Sequence, residues 1–356
     1  MKTILGIIAV AAFVSTAAMA ESKIQDLSYG VPAGKTKVSL GVSLLFKGKE
    51  KTYRSTNQTV AGPGYTNKAT EWALVGDYGV TDKFTLGASW NYLHHYAKRD
   101  DMGTATKAKG FSDPTIRTSY AYYAEGDIGA GAFLNITPSV VKAVTGGTGA
   151  ATFGSYNSNY PGNPIGSGYM SGGSTNFTLG TGGVYTKDSS EFGFAPFLTY
   201  RGKAKYTAVD RDISGNKQEV ANEVTSYTVF GADLNVRHHY NPTWYAQAGA
   251  TVVGPSTSTY SSTSTTTTSV DTGIATTVAT PTTASVTEYS VPFHATPKVT
   301  LGYKCPETKI LVELSGMYDN YNIGTQSKSS TGSANAPANT TEYSHLMAGL
   351  NFSYEL

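Results

Sequence analysis

Apolar and polar residues alternate with a period of two over much of this chain. The last twelve residues, HLMAGLNFSYEL, show the pattern plainly. Leu346, Ala348, Leu350, Phe352, Tyr354 and Leu356 fall on one parity, and His345, Met347, Gly349, Asn351, Ser353 and Glu355 on the other. Successive side chains of a β-strand point to opposite faces, so this is a strand with one apolar face. Similar segments lie near 38–46, 72–80, 84–92, 116–122, 128–136, 177–185, 192–200, 230–236, 244–252, 293–303 and 310–318. With the terminal segment the count is about twelve, an even number.

The connections sort by length. VTDK near 80, AEGD near 124, KDSS near 187, HYNPT near 239 and KCPET near 304 are tight turns. Between them lie long connections at 48–69, 97–112, 138–174, 205–220, 254–288 and 320–341. Strict alternation of short and long links is the pattern of an outer-membrane barrel, with short periplasmic turns and long extracellular loops. A soluble sandwich has no reason to sort its loops by end. The expected fold is therefore all-β: a transmembrane antiparallel up-and-down β-barrel of about twelve strands. Lipid gives the alternation its physical reason, since every backbone group must find an internal partner and a closed barrel leaves no edge. Tyr and Trp near strand ends, including Trp72, Tyr78, Trp90, Tyr122, Trp244 and Tyr303, are expected to form interfacial girdles.

Composition agrees with this class. Charged residues are 15% of the chain, against roughly 25% in soluble domains, and there are 39 Gly and 25 Tyr. Residues 1–20 have a basic Lys2, a short apolar run and Ala18-Met19-Ala20, the layout of a secretory signal peptide cleaved near Ala20. No later stretch of about 18 residues is uniformly apolar, so no transmembrane helix is expected. The net charge of +2 argues against a nucleic-acid partner. The single Cys305 rules out an internal disulfide framework. Residues 21–36 are expected to be a periplasmic segment or a small plug entering the lumen, and 37–356 the barrel.

Function is expected on the inward face. The predicted inward charges are Lys37, Lys47, Arg117, Arg201, Arg237 and Lys298 against Glu71, Asp77, Asp233, Glu313, Asp319 and Glu355. The signs balance, whereas a strongly ion-selective pore lines its constriction with one sign. Such a lumen suits a neutral or amphipathic solute, or a narrow interior crossed by ion pairs. In the connection at 138–174, Tyr156, Tyr160 and Tyr169 could present ring faces to a solute at the mouth, or belong to a surface loop. A Ser/Thr-rich stretch over 256–287 is expected to hold the longest exposed loop, with part of it extending neighbouring strands.

Enzymatic signals are weak. His94-His95 and His238-His239 lack a third ligand at metal spacing, so no metal or cofactor is expected. Ser344-His345 are adjacent and point to opposite faces, which prevents a local Ser–His pair. The partners expected are the lipid bilayer, a small-molecule solute and the outer-membrane assembly machinery. The terminal strand resembles the signal which that machinery reads, although it ends in Leu356 rather than the common Phe.

GFSDPTIRTSYAYY at 110–123 and YGVTDKFTLGASWNY at 78–92 resemble a pattern of transporter-like outer-membrane proteins linked to the meta-pathway of phenol degradation. Gly110 to Asp113 match that family's Gly-x-x-Asp before an amphipathic strand, and Tyr78 to Asp82 match its turn. A Pro-Thr-Gly expected after the next strand is absent, since Pro138 is followed by Ser139. The resemblance implies passive uptake of small hydrophobic or aromatic solutes. The rival expectation is a structural or surface-recognition barrel acting through its loops.

Overall fold

The computed structural model describes residues 24, 30–54, 65–99, 105–140, 174–211, 217–267, 280–328 and 339–356. They form one sheet of 17 strands. In chain order these are β1 (Thr36–Arg54), β2 (Tyr65–Gly79), β3 (Phe84–Arg99), β4 (Ala105–Phe111), β5 (Thr115–Glu125), β6 (Ile128–Thr137), β7 (Asn176–Lys187), β8 (Ser190–Arg201) and β9 (Ala204–Arg211). They continue as β10 (Lys217–Val224), β11 (Tyr227–His239), β12 (Trp244–Val253), β13 (Ser256–Thr267), β14 (Thr280–Val291), β15 (His294–Lys304), β16 (Ile310–Lys328) and β17 (Asn339–Glu355).

Twelve of them close a ring: β1, β2, β3, β5, β6, β7, β8, β11, β12, β15, β16 and β17, each antiparallel to the next and β17 back to β1. The expected barrel is therefore present, with its twelve alternating segments in consecutive staves. The seam between the ends of the chain is stitched from Lys37↔Glu355 to Arg54↔Asn339. Thr36 and Leu356 exchange both backbone hydrogen bonds beyond the last pair of that seam. No helix among the described residues is long and apolar enough to cross a membrane.

All five expected tight turns join ring strands at one end of the barrel. The two shortest place Gly126 at φ 56° and Asp188 at φ 52°, the left-handed backbone that two-residue hairpin turns require. At the other end the expected long connections are partly strand. β9, β10, β13 and β14 pair in that order, and β14 joins β16 through Val286↔Lys328 to Ser290↔Gly324. This collar prolongs the wall past the apolar belt. The Ser/Thr-rich stretch thus supplies β13 and most of β14. Residues 268–279, 141–173 and most of 21–29 lie outside the described residues, and with them Tyr156, Tyr160 and Tyr169.

The motif at 110–113 makes a break in one stave. β3 pairs first with β5 over Phe84–Ser89 and then with β4 over Tyr92–Lys98. Across the gap Ser112 N donates to the Asn91 carbonyl at 2.8 Å, and Trp90 Nε1 donates to the Ser112 carbonyl at 2.8 Å. Asp113, buried, accepts from the Val140 amide at 3.2 Å. Pro114 has no amide hydrogen and fits where the ladder is interrupted.

The two faces are inverted relative to a soluble protein. Leu40, Leu74, Phe194 and Leu314 are exposed on the outside, while Glu71, Glu313, Asp319 and Ser353 are buried inside. Only a surround of hydrocarbon makes that arrangement favourable. Leu74→Arg should therefore destabilise the barrel by about 2–4 kcal/mol in denaturant titrations from lipid vesicles. A change below about 0.5 kcal/mol, the surface-substitution range of soluble proteins, would show that water covers this face.

Candidate functional site

Alternation sends every second residue of each stave into the lumen, and the strand register decides which of these meet. Lys37, Asp77, Arg117, Asp233, Lys298 and Glu313 line one cavity of about 170 Å³ inside the barrel. They come from β1, β2, β5, β11, β15 and β16, spread around the ring. Arg117 Nη1 lies 3.3 Å from Asp77 Oδ2, an ion pair that spans β3 through Gly87. A side chain at 87 would collide with the Asp77 carboxylate, so the glycine is what lets the pair form. Asp233 accepts from Thr251 Oγ1 at 2.6 Å. The predicted balance of sign is kept within the cavity, with three cationic and three acidic side chains.

Three predicted lumen residues fall elsewhere. Glu71 is buried and accepts from Asn91 Nδ2 at 2.7 Å, away from the cavity lining. Arg201 stands at the far end of β8, its guanidinium 5.9 Å from the centre of the Tyr227 ring. Arg237 lies toward the turn end, 3.5 Å from Glu191 Oε2 and 4.4 Å from the centre of the Tyr245 ring. Among the other expected inward charges, Asp319 is buried further along β16 and Glu355 is half-buried at the turn end. Lys47 follows a β-bulge after Leu45, where the register slips by one residue. Alternation cannot assign its face, because a one-residue slip exchanges the two sides of a strand.

The turn end holds a continuous polar belt, part of which the sequence reading missed. Glu191 Oε2 is ion-paired with Arg237 Nη1 at 3.5 Å, and its Oε1 lies 3.0 Å from His239 Nε2. Arg237 Nε donates to Gln247 Oε1 at 3.1 Å. The Tyr245 hydroxyl donates to Glu313 Oε1, and Asn351 Nδ2 donates to Glu313 Oε2 at 2.9 Å and to Ser353 Oγ at 3.1 Å. Ser353 Oγ in turn meets Ser39 Oγ at 2.8 Å. Tyr245 on β12 reaches Glu313 on β16 by lying across Gly302 of β15, where any Cβ would overlap its ring. Glu191 was legible in principle, since it precedes Phe192 on the opposite parity. His239 sits beside a turn, where alternation gives no guidance.

The opposite wall is apolar. Ile24 is buried against Phe133, Val184 and Ala195, with Phe197 packed beside them. Gly193 leaves room for it: a Cβ there would come within 3.1 Å of Ile24 Cδ1. Ile24 also lines the cavity, so an apolar patch held against β6–β8 meets charged residues that come from the rest of the ring.

A Ser–His contact does exist, on the outer face. Ser190 Oγ lies 3.0 Å from His238 Nδ1, across the paired ends of β8 and β11. Among the described residues the His238 ring makes no second hydrogen bond, so nothing orients it as the base of a nucleophilic triad. No group of three His, Cys, Asp or Glu among the described residues is arranged to hold a metal ion. Cys305, in the turn between β15 and β16, is held below the ordinary thiol range by hydrogen bonding from the Thr308 side chain and from the backbone at 308 and 307.

No family model matches the chain. No curated protein matches it. Among solved structures it is similar to an outer membrane channel from Pseudomonas putida F1, with 12% identity over 92% of this chain and 98% of that one, at a TM-score of 0.49. It is similar to the Pseudomonas putida toluene transporter TodX, with 9% identity over 92% of this chain and 96% of that one, at 0.37. It is also similar to the outer membrane protease OmpT from Escherichia coli, with 10% identity over 94% of this chain and all of that one, at 0.36.

Variants at Gly302, Tyr245 and Thr308 check these contacts. Gly302→Ala should push Tyr245 off Glu313 and lower stability by about 1–3 kcal/mol, as read by urea unfolding in vesicles. Tyr245→Phe, which removes only the donor, should lower it by a similar or smaller amount. Cys305 should react with a soluble maleimide faster than a free thiol at the same pH, and Thr308→Val should slow it by raising the thiolate's proton affinity.

Proposed function

We propose that the protein is an outer-membrane channel for the passive uptake of small, neutral or amphipathic solutes, single aromatic rings among them. The observation that carries this reading is the lumen cavity, lined by charges of both signs from around the ring and by Ile24, which is itself seated on an apolar cluster. Balanced charges give no net attraction to an ion of either sign, and the field inside a low-dielectric wall makes a net sign matter. Its volume of about 170 Å³ is of the order that admits one six-membered ring. Hydrogen-bonding groups on one side and aliphatic surface on the other suit a solute with both characters.

In this reading residues 1–20 are removed on export and the assembly machinery inserts the barrel, with the tight turns in the periplasm and the collar outside. The buried position of Ile24 supports a short N-terminal segment reaching into the lumen as a plug. Membership of the phenol-degradation-linked transporter family belongs to the same proposal, supported by the motifs at 78–82 and 110–113.

Vesicles containing the purified protein should take up nicotinamide, a neutral polar ring that bilayers pass slowly. Nicotinate and 1-methylnicotinamide, the anionic and cationic relatives, should enter more slowly and within about threefold of one another. Uptake no faster than in protein-free vesicles, or a strong preference for one ion, would count against the reading.

A further inference from the structure

On the collar side of the cavity the lumen wall carries a second cluster, built from residues the transport reading does not use. Along β15 the inward positions after Lys298 are Thr296 and His294, and both are buried. On β16 Asp319 and Tyr321 follow, and on β17 His345 and Tyr343, with Asp319 opposite His345 and Tyr321 opposite Tyr343 in register. Asp319 is fully buried. Its Oδ1 accepts from Thr296 Oγ1 at 2.8 Å, while its Oδ2 accepts no hydrogen bond. The His294 ring lies 5.1 Å from that of Tyr321, which stacks on Tyr343 at 5.0 Å; His345 lies 6.0 Å from Tyr343.

We propose that Asp319, His294 and His345 form an acid-sensitive latch that holds the extracellular half of the lumen closed at neutral pH and loosens it in acid. One carboxylate and two imidazoles make a cluster that buries no net charge when it holds one extra proton. A second proton leaves net positive charge among aromatic rings and out of water, which is unfavourable unless the site opens. The neighbouring charges are of both signs. Lys298 is the next inward residue on β15, Tyr289 of β14 packs on Tyr321 and Tyr343, and Val224 of β10 is apolar. β1 places Gly48 opposite His345, and on the other side Thr296 pairs with Thr251, whose hydroxyl donates to Asp233, so a second carboxylate stands two strands from Thr296. Protonation of the imidazoles is the step that loosens the latch, so closure holds at neutral pH and is lost in acid.

The test is hydrogen exchange of the folded protein in vesicles at pH 7.5 and 5.0, corrected for the intrinsic effect of pH. Amides of residues 319–323 and 343–345 should exchange about tenfold faster in acid, while the β6–β7 wall does not change. The His294→Gln, His345→Gln double variant, neutral at both values, should lose this response. Asp319→Asn, which removes the group that absorbs the first proton, should move it to higher pH. Equal responses in wild type and double variant, or none in wild type, would overturn the proposal. If the double variant does not fold, the single His variants, each expected to halve the response, decide in its place. Protection is read without solute flux, so a latch can be found even if the vesicles show no uptake, and the two readings fail separately.

Discussion

The pairing of β1 with β17 is the contact on which the rest of the molecule depends. Hydrocarbon offers no hydrogen bonds, so an open sheet would leave two rows of amides and carbonyls unsatisfied at several kcal/mol each. The seam from Lys37↔Glu355 to Arg54↔Asn339 removes both edges together, and the exchange between Thr36 and Leu356 seals its turn end. Closure then dictates side-chain chemistry. Residues such as Leu40, paired with Phe352 across the seam, can be exposed only because oil lies outside. Polar residues have nowhere to go but inward, and inside a narrow lumen they must satisfy one another.

That second requirement explains the glycines. Neighbouring staves are under 5 Å apart, so a long side chain that is to meet a partner two strands away must pass over the strand between. Gly87 lets Arg117 reach Asp77, and Gly302 lets Tyr245 reach Glu313. The result is a set of cross-strand pairs around much of the lumen. The β6–β8 side, where Gly180 and Gly193 make way for Phe133 and Ile24, becomes apolar instead. The amphipathic character of the cavity is therefore a product of where small residues interrupt each stave.

The barrel was legible in the sequence because lipid imposes one rule on every stave. From that rule come the twelve ring strands, the five tight turns and the inward side of Lys37, Asp77, Arg117, Asp233, Lys298 and Glu313. Alternation gives the face of a residue but not its height or its neighbours. It could not separate Glu71, bound to Asn91, or Arg201, at the rim by Tyr227, from the six that meet in one cavity. It also fails where the register slips, as at Lys47. Ile24 was unreadable for another reason: it reaches the apolar wall by a long-range contact that no local pattern encodes.

The collar shows the same logic from the other side. β13 is STSTYSSTSTTT, a sequence with no apolar face, yet it pairs with β10 and β14 along its length. Beyond the hydrocarbon both faces can meet water, so backbone pairing persists while the pressure on side chains disappears. Ser and Thr keep the β-branched or small shape and local hydrogen bonding that such strands tolerate. The signal that found the staves therefore fades where the bilayer ends, although the strands themselves do not. Where the collar meets the ring, the lumen changes from paired charges to the buried rings of Tyr289, Tyr321 and Tyr343. These rings gain by excluding water from one another, and two imidazoles beside them are the groups whose charge can reverse that gain.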